Sequence, residues 1–159
     1  MNVSIMLDEL VKHIQKATEK LQLVTQKGTA RAPQVVSGYL PPKDPKDIDG
    51  VEDFPYVIIR YLSDNSDDDG ATAQVKVICG VYSDDDQRGW QDLMNVMNAI
   101  RTHLLRQMAF GKCFSVELPV KREIPEEQGA PYWEGWFTLE ISIPTILEED
   151  DYVKRFFAE

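Results

Sequence analysis

Histidine and cysteine are scarce in this chain: 159 residues hold two of each. Acyl transfer needs a serine or cysteine beside a histidine held by an acid. His13 and His103 both fall in predicted helices, and no serine sits on a strand-to-helix elbow, so no triad is expected. The separation of Cys79 and Cys113 matches no zinc pattern, and neither histidine lies near them in sequence. Their even number allows a disulfide. The opening MNVSIMLDEL, however, has no basic region followed by an apolar one, so no signal peptide is expected and reduced thiols are favoured. Long apolar runs are missing as well; none approaches the roughly 20 residues that span a bilayer, so no membrane contact is expected. A glycine-rich phosphate loop is also lacking. The turn where one would stand, residues 83–86, carries three aspartates that repel phosphate. Basic residues are outnumbered, 17 Lys and Arg against 27 Asp and Glu, which leaves a net charge of −10. That balance argues against a dedicated nucleic-acid binder, which relies on a basic patch. It is compatible with a protein that DNA merely passes, because like charge keeps a duplex from sticking.

The composition is 43% hydrophobic and 28% charged, enough for a core under an ordinary polar surface, and the length fits one domain over 1–159. The organising stretch is 75–105. Val75, Val77 and Cys79 alternate with Lys76 and Ile78 as in a strand, and Gly80 permits a close approach or a bulge. Ser83 and Asp84 are candidate helix caps. Trp90, Leu93, Met94, Met97, Ile100 and Leu104 then recur at helical spacing, and Gly111 is the expected stop. A first helix is predicted over 4–26, with Leu7, Leu10, Val11, Ile14, Leu21 and Val24 on its apolar stripe and His13 off it, in solvent.

Residues 34–40 read as an edge strand stopped by Pro41 and Pro42, and 43–53 as an exposed loop. Residues 54–63 read as a strand buried on both faces, 64–70 as a polar loop and 72–82 as the next strand. Phe114, Val116 and Leu118 mark a half-buried strand before a loop over 121–131. The last long strand is 132–143, with Trp133, Phe137, Leu139, Ile141 and Ile143 on one face and a bulge expected at Gly135. Residues 145–159 read as a tail, with a short helix expected over 150–157. The expected fold class is α+β: a single, mainly antiparallel or mixed sheet of two hairpins, packed by two long helices.

The acidic loop invites a calcium test. With Gly70 at the sixth position of an EF-hand loop, Asn65, Asp67 and Asp69 take ligand places. The twelfth place, which needs a glutamate, is then Lys76, and flanking helices are missing. A solvated turn that discourages edge aggregation is the favoured reading, with weak calcium binding as the alternative. Asp69, Gln74 and Lys76 imitate the acid, glutamine and lysine of restriction-type nucleases, a short pattern that chance explains. The aspartate runs at 64–69 and 84–86 could share a two-metal site, but neither run shows the fixed surroundings such a site needs. No cofactor is expected. Trp90 and Trp133 read as packing residues, and Trp136 lies on the opposite strand face from Phe137.

The residues FPYVIIR at 54–60, GVY at 80–82, GWQDLMNVM at 89–97, IR at 100–101 and PYW at 131–133, with Glu127 ahead of them, give the chain a resemblance. It resembles the small tail-terminator, or tail-completion, proteins of tailed bacteriophages and prophages, over most of 54–144. That resemblance implies a structural protein, not an enzyme. Such proteins form a ring, commonly a hexamer, on the end of the tail tube, stop its growth and meet the head connector. The implied partners are copies of the chain itself, the tail tube protein and the head–tail connector protein, with DNA only passing through the lumen. The implied location is the bacterial cytoplasm during assembly and then the virion tail or neck. Another neck or tail component is the near alternative, and a metal-dependent nuclease is the alternative of a different class. Interface candidates are Asp47 and Asp49 in the long loop, Asp64, Asp67, Asp68 and Asp69 in the acidic turn, then Trp136, Phe156 and Phe157. Plain solvent exposure is an equal reading for each loop.

Overall fold

A computed structural model describes residues 3–40, 53–68 and 70–144. In chain order these form α1 (Val3–Thr18), β1 (Leu23–Val24), β2 (Ala30–Arg31), β3 (Gln34–Ser37), β4 (Tyr56–Asp67), β5 (Gly70–Tyr82), α2 (Gly89–Arg106), β6 (Ala109–Phe110), β7 (Phe114–Glu123) and β8 (Tyr132–Ile143). The content is mixed α+β. A six-stranded sheet runs in the order β3-β4-β5-β8-β7-β6, and β1 and β2 pair apart from it. Only β3 and β4 are parallel; the other pairs are antiparallel. Among the described residues no helix is long and apolar enough to cross a membrane. The long loop over 43–52 and the terminal helix expected over 150–157 lie outside the described residues.

The alternation in β5 makes it a central strand. Ala71, Ala73, Val75, Val77, Cys79 and Val81 are buried on one side, and those from Ala73 on share one core with the buried residues of α1 and α2. Each large apolar side chain buried there contributes about 1.5–3 kcal/mol before entropy is subtracted. β8 pairs with β5 without a break, from Ala71 opposite Ile143 to Tyr82 opposite Tyr132, so the bulge expected at Gly135 is absent. Glycine is needed there for another reason: a Cβ would stand 2.9 Å from the Met97 sulfur, so α2 lies close on β8.

Several expected boundaries move, and each is moved by a partner distant in sequence. α1 ends at Thr18 and not near Gln26. The apolar residues beyond it enter a turn instead, in which Leu23 faces Arg31 around Gly28 at φ +84°. The stripe of α1 is also rotated. Met6, Leu10, His13, Ile14 and Thr18 are buried, whereas Leu7 and Val11 are half-buried and Val24 is exposed. β4 runs on through residues 64–67, read as loop from their polarity, because ladder bonds to residues 70–73 of β5 hold them. β7 likewise extends to Glu123, with a register shift around Pro119, which cannot donate to a ladder.

α2 starts at Gly89, after a turn of its own. The Asp85 carboxylate accepts from the Gln87 and Arg88 N–H groups at 3.0 Å, and neither Ser83 nor Asp84 caps the helix. Trp90 leaves the core: it is 46% exposed and its indole donates to the Gln87 carbonyl at 3.1 Å. Gly89, Leu93, Val96, Met97, Ile100 and Leu104 form the buried face. Gly111 does not stop α2. It turns the chain between β6 and β7 at φ +58°, beside Lys112 at φ 69°. Both cysteines are free thiols, Cys79 fully buried and Cys113 half-buried.

Candidate functional site

The FPY, GVY, GW and PYW segments of the resemblance meet at one end of the sheet. Gly80 leaves room for the Tyr56 ring, since a Cβ at 80 would stand 2.2 Å from its Cζ. Tyr56 then donates its hydroxyl to Glu134 Oε2 at 2.7 Å. Gly89 leaves room for Trp133 in the same way, with a would-be Cβ 2.3 Å from the indole nitrogen. That nitrogen donates to the Ser83 carbonyl at 3.2 Å, and the Ser83 N–H donates to the Pro131 carbonyl at 2.8 Å. Phe54 lies 4.8 Å from Tyr56 and 5.0 Å from Tyr132, ring centre to ring centre, and Tyr132 lies 5.9 Å from Tyr82. Burial, helped by the bond to Glu134, pushes the Tyr56 hydroxyl well above its ordinary pKa, so it stays a neutral donor. This arrangement can fix the strand–turn–helix geometry and present Tyr132, which is 47% exposed, at the surface.

The acidic candidates separate. Asp64 and Asp67 stand on the outer half of β4, and Asp68 is exposed in the turn after it. Tyr61 donates to Asp64, and Asn65 Nδ2 lies 3.4 Å from Asp67 Oδ2. Asp47, Asp49, Asp69, Phe156 and Phe157 lie outside the described residues. Among the described residues no three His, Cys, Asp or Glu side chains are grouped to hold a metal. The aspartates at 84–86 follow the opposite end of the 13-residue β5. At ~3.3 Å per residue the two runs are separated by about 40 Å, and metals of a two-metal site sit ~4 Å apart, so they cannot share one. Lys76, the lysine of the nuclease-like pattern, lies 4.4 Å from the centre of the Trp136 ring. Trp136 itself packs against Tyr56, Ile58 and Ile78 on the face of the sheet opposite α1 and α2.

Two features escaped the reading of the sequence. One is the His13–His103 pair between the helices. His13 is 4% exposed, its Nε2–H donates to the Gln107 carbonyl at 2.8 Å, and its Nδ1 accepts from His103 Nε2 at 3.2 Å. Because a carbonyl only accepts, Nε2 of His13 must carry the hydrogen. Its spacing from Met6 and Leu10 was the available signal. The other is a shallow groove of about 400 Å³ lined by Lys16, Ala17, Asn98, Ala99, Thr102, His103 and Arg106. No family model matches this chain, and no curated protein matches it either.

Proposed function

We propose that this chain is a structural, non-enzymatic protein of tail-terminator type. It assembles as a ring on the end of a phage tail tube and joins the tail to the head connector, first in the bacterial cytoplasm and then in the virion neck. The observation that carries the reading is the convergence of its FPY, GVY, GW and PYW segments on one frame. In it Gly80 and Gly89 are spent on the close approach of Tyr56 and Trp133. Residues used in this way hold a framework rigid, as a module that acts through its surfaces requires. Tyr132 stands at the surface beside that frame, and the acidic outer end of β4 stands at the surface at the other end of the sheet.

Electron microscopy and native mass measurement of the purified chain test the reading, alone and with tubes polymerised from a tail tube protein encoded beside it. Closed rings at tube ends, with tube growth arrested, are expected. Long tubes formed by the chain alone would make it a tube subunit, and unchanged tube growth would remove the terminator role.

A further inference from the structure

One groove on the described surface carries basic side chains, beside a cleft where Lys16 also meets Glu9 and Glu19. Lys16 of α1 and His103 and Arg106 of α2 face the shallow groove between the helices, whose floor is Ala17 and Ala99. No Asp or Glu is among its described lining residues, in a chain whose net charge is −10. Between described residues, ion pairs join Lys12 to Glu9 and Lys121 to Glu123, and neither involves Lys16 or Arg106. Asn98 accepts from Arg122 at 2.6 Å, which brings a further guanidinium to the same rim.

The complementary surface lies elsewhere on the same molecule. β3 pairs with β4 only from Tyr56 to Ile59. Beyond that, among the described residues β4 pairs only with β5, and its residues from Tyr61 to Asp67 are exposed. At ~3.3 Å per residue this outer part reaches about 26 Å past Ile59. It ends in Asp67 and Asp68, with the apolar side chains of Tyr61 and Leu62 behind them, 40% and 45% exposed. Its ladder to β5 shifts register between Tyr61 and Ser63 and then runs on to Asp67 opposite Gly70, which holds it in the sheet and away from the groove of its own chain.

We propose that the α1–α2 groove receives the acidic outer end of the β4–β5 ribbon from a second copy of this chain. Lys16, His103 and Arg106 meet Asp67 and Asp68, and the alanine floor gives the ribbon room to approach. Two different patches are joined, so the contact is head-to-tail and repeats from copy to copy until it closes. Opposed charges set its direction and speed its formation more than they add to affinity. This joint deepens the ring reading above and takes its biological setting from it.

Sedimentation velocity on the full chain tests the contact. Wild type is expected to form multimers at low salt and to return to monomer near ~1 M salt, where the Debye length is about 3 Å. Lys16→Glu with Arg106→Glu, and separately Asp67→Lys with Asp68→Lys, should each be monomeric at concentrations where wild type assembles. Mixing the two variants should restore the wild-type masses, because every junction then joins opposite charges. Should a reversed chain lose its cooperative melt, Lys16→Gln with Arg106→Gln and Asp67→Asn with Asp68→Asn replace it. These neutral pairs are expected to weaken association about tenfold or more. A monomeric wild type, full assembly of either reversed variant, or folded variants that do not assemble on mixing would overturn the proposal. Charge-dependent assembly that leaves tail tubes uncapped removes the terminator reading and keeps this contact. Capping by the reversed variants does the opposite.

Discussion

Gly89 begins α2 in a place where a methyl group has no room. Alanine in a helix is normally favoured over glycine by about 0.5–1 kcal/mol. Here the added Cβ would lie 2.3 Å from the nitrogen of a Trp133 side chain that is 6% exposed and tied to Ser83. Overpacking of that kind costs about 1–3 kcal/mol and outweighs the helix gain. Gly89→Ala should therefore destabilise the protein by about 1–2 kcal/mol, read as a lower urea midpoint. Gly129 has nothing within 4 Å of its would-be Cβ, so Gly129→Ala should stay within about 0.5 kcal/mol of wild type. A stabilised Gly89→Ala would mean that the Trp133 frame is not rigid. Gly80 obeys the same logic against Tyr56, and the choice left open there between bulge and close approach falls to close approach.

The two helices are joined at His13. Burial pushes its pKa below the ordinary value of 6.5, and the neighbouring His103 and Lys16 act in the same direction, opposed by the bond to the Gln107 carbonyl. Glu9, Lys12, Lys16 and Glu19 of α1 line the cleft beside it, and Arg106 stands near His103. The folded state thus takes the proton less readily than the unfolded chain. The stability His13 contributes is complete above the unfolded pKa near 6.5 and is lost as pH falls from there through the lower folded value. Urea midpoints should accordingly fall between pH 7.5 and 5.5. His13→Phe, which stacks on Phe110 without titrating, should show a flatter slope over the same range. An equal slope in both proteins would place the pH dependence in the carboxylates.

Among the described residues the sheet has two partly covered edges. β3 shields β4 only up to Ile59, and β6 pairs with β7 only at Phe114 and Ser115. An uncovered strand invites pairing with another molecule unless charge or proline blunts it. Asp64 and Asp67 do so on β4, and Pro119 interrupts the β7 register. Replacing Asp64→Val together with Ser66→Val leaves the ladder to β5 intact and removes one of those charges. This pair should scatter light on heating at temperatures where wild type stays clear. Unchanged scattering would show that the β4 edge is protected by something other than its side-chain polarity.

The period-two runs in β5 and β8 and the helical spacing of Leu93, Met97, Ile100 and Leu104 could be read directly from the chain. In those segments the local preference and the buried face agree, so the α+β class follows from the pattern of apolar residues. Gly80 was also legible as a place of close approach. The side of α1 that is buried was not, because it depends on His13 finding Gln107 and His103 some ninety positions away. Nor was the strand character of residues 64–67, whose polarity says loop until β5 supplies its ladder bonds. Trp90 reads as core by spacing, yet Gly89 beside it takes the buried place because Trp133 needs the volume. Local periodicity is written along the chain and selects the elements. Their ends, their buried sides and the separation of the cationic groove from the acidic ribbon depend on contacts between distant segments, which form only in the folded molecule.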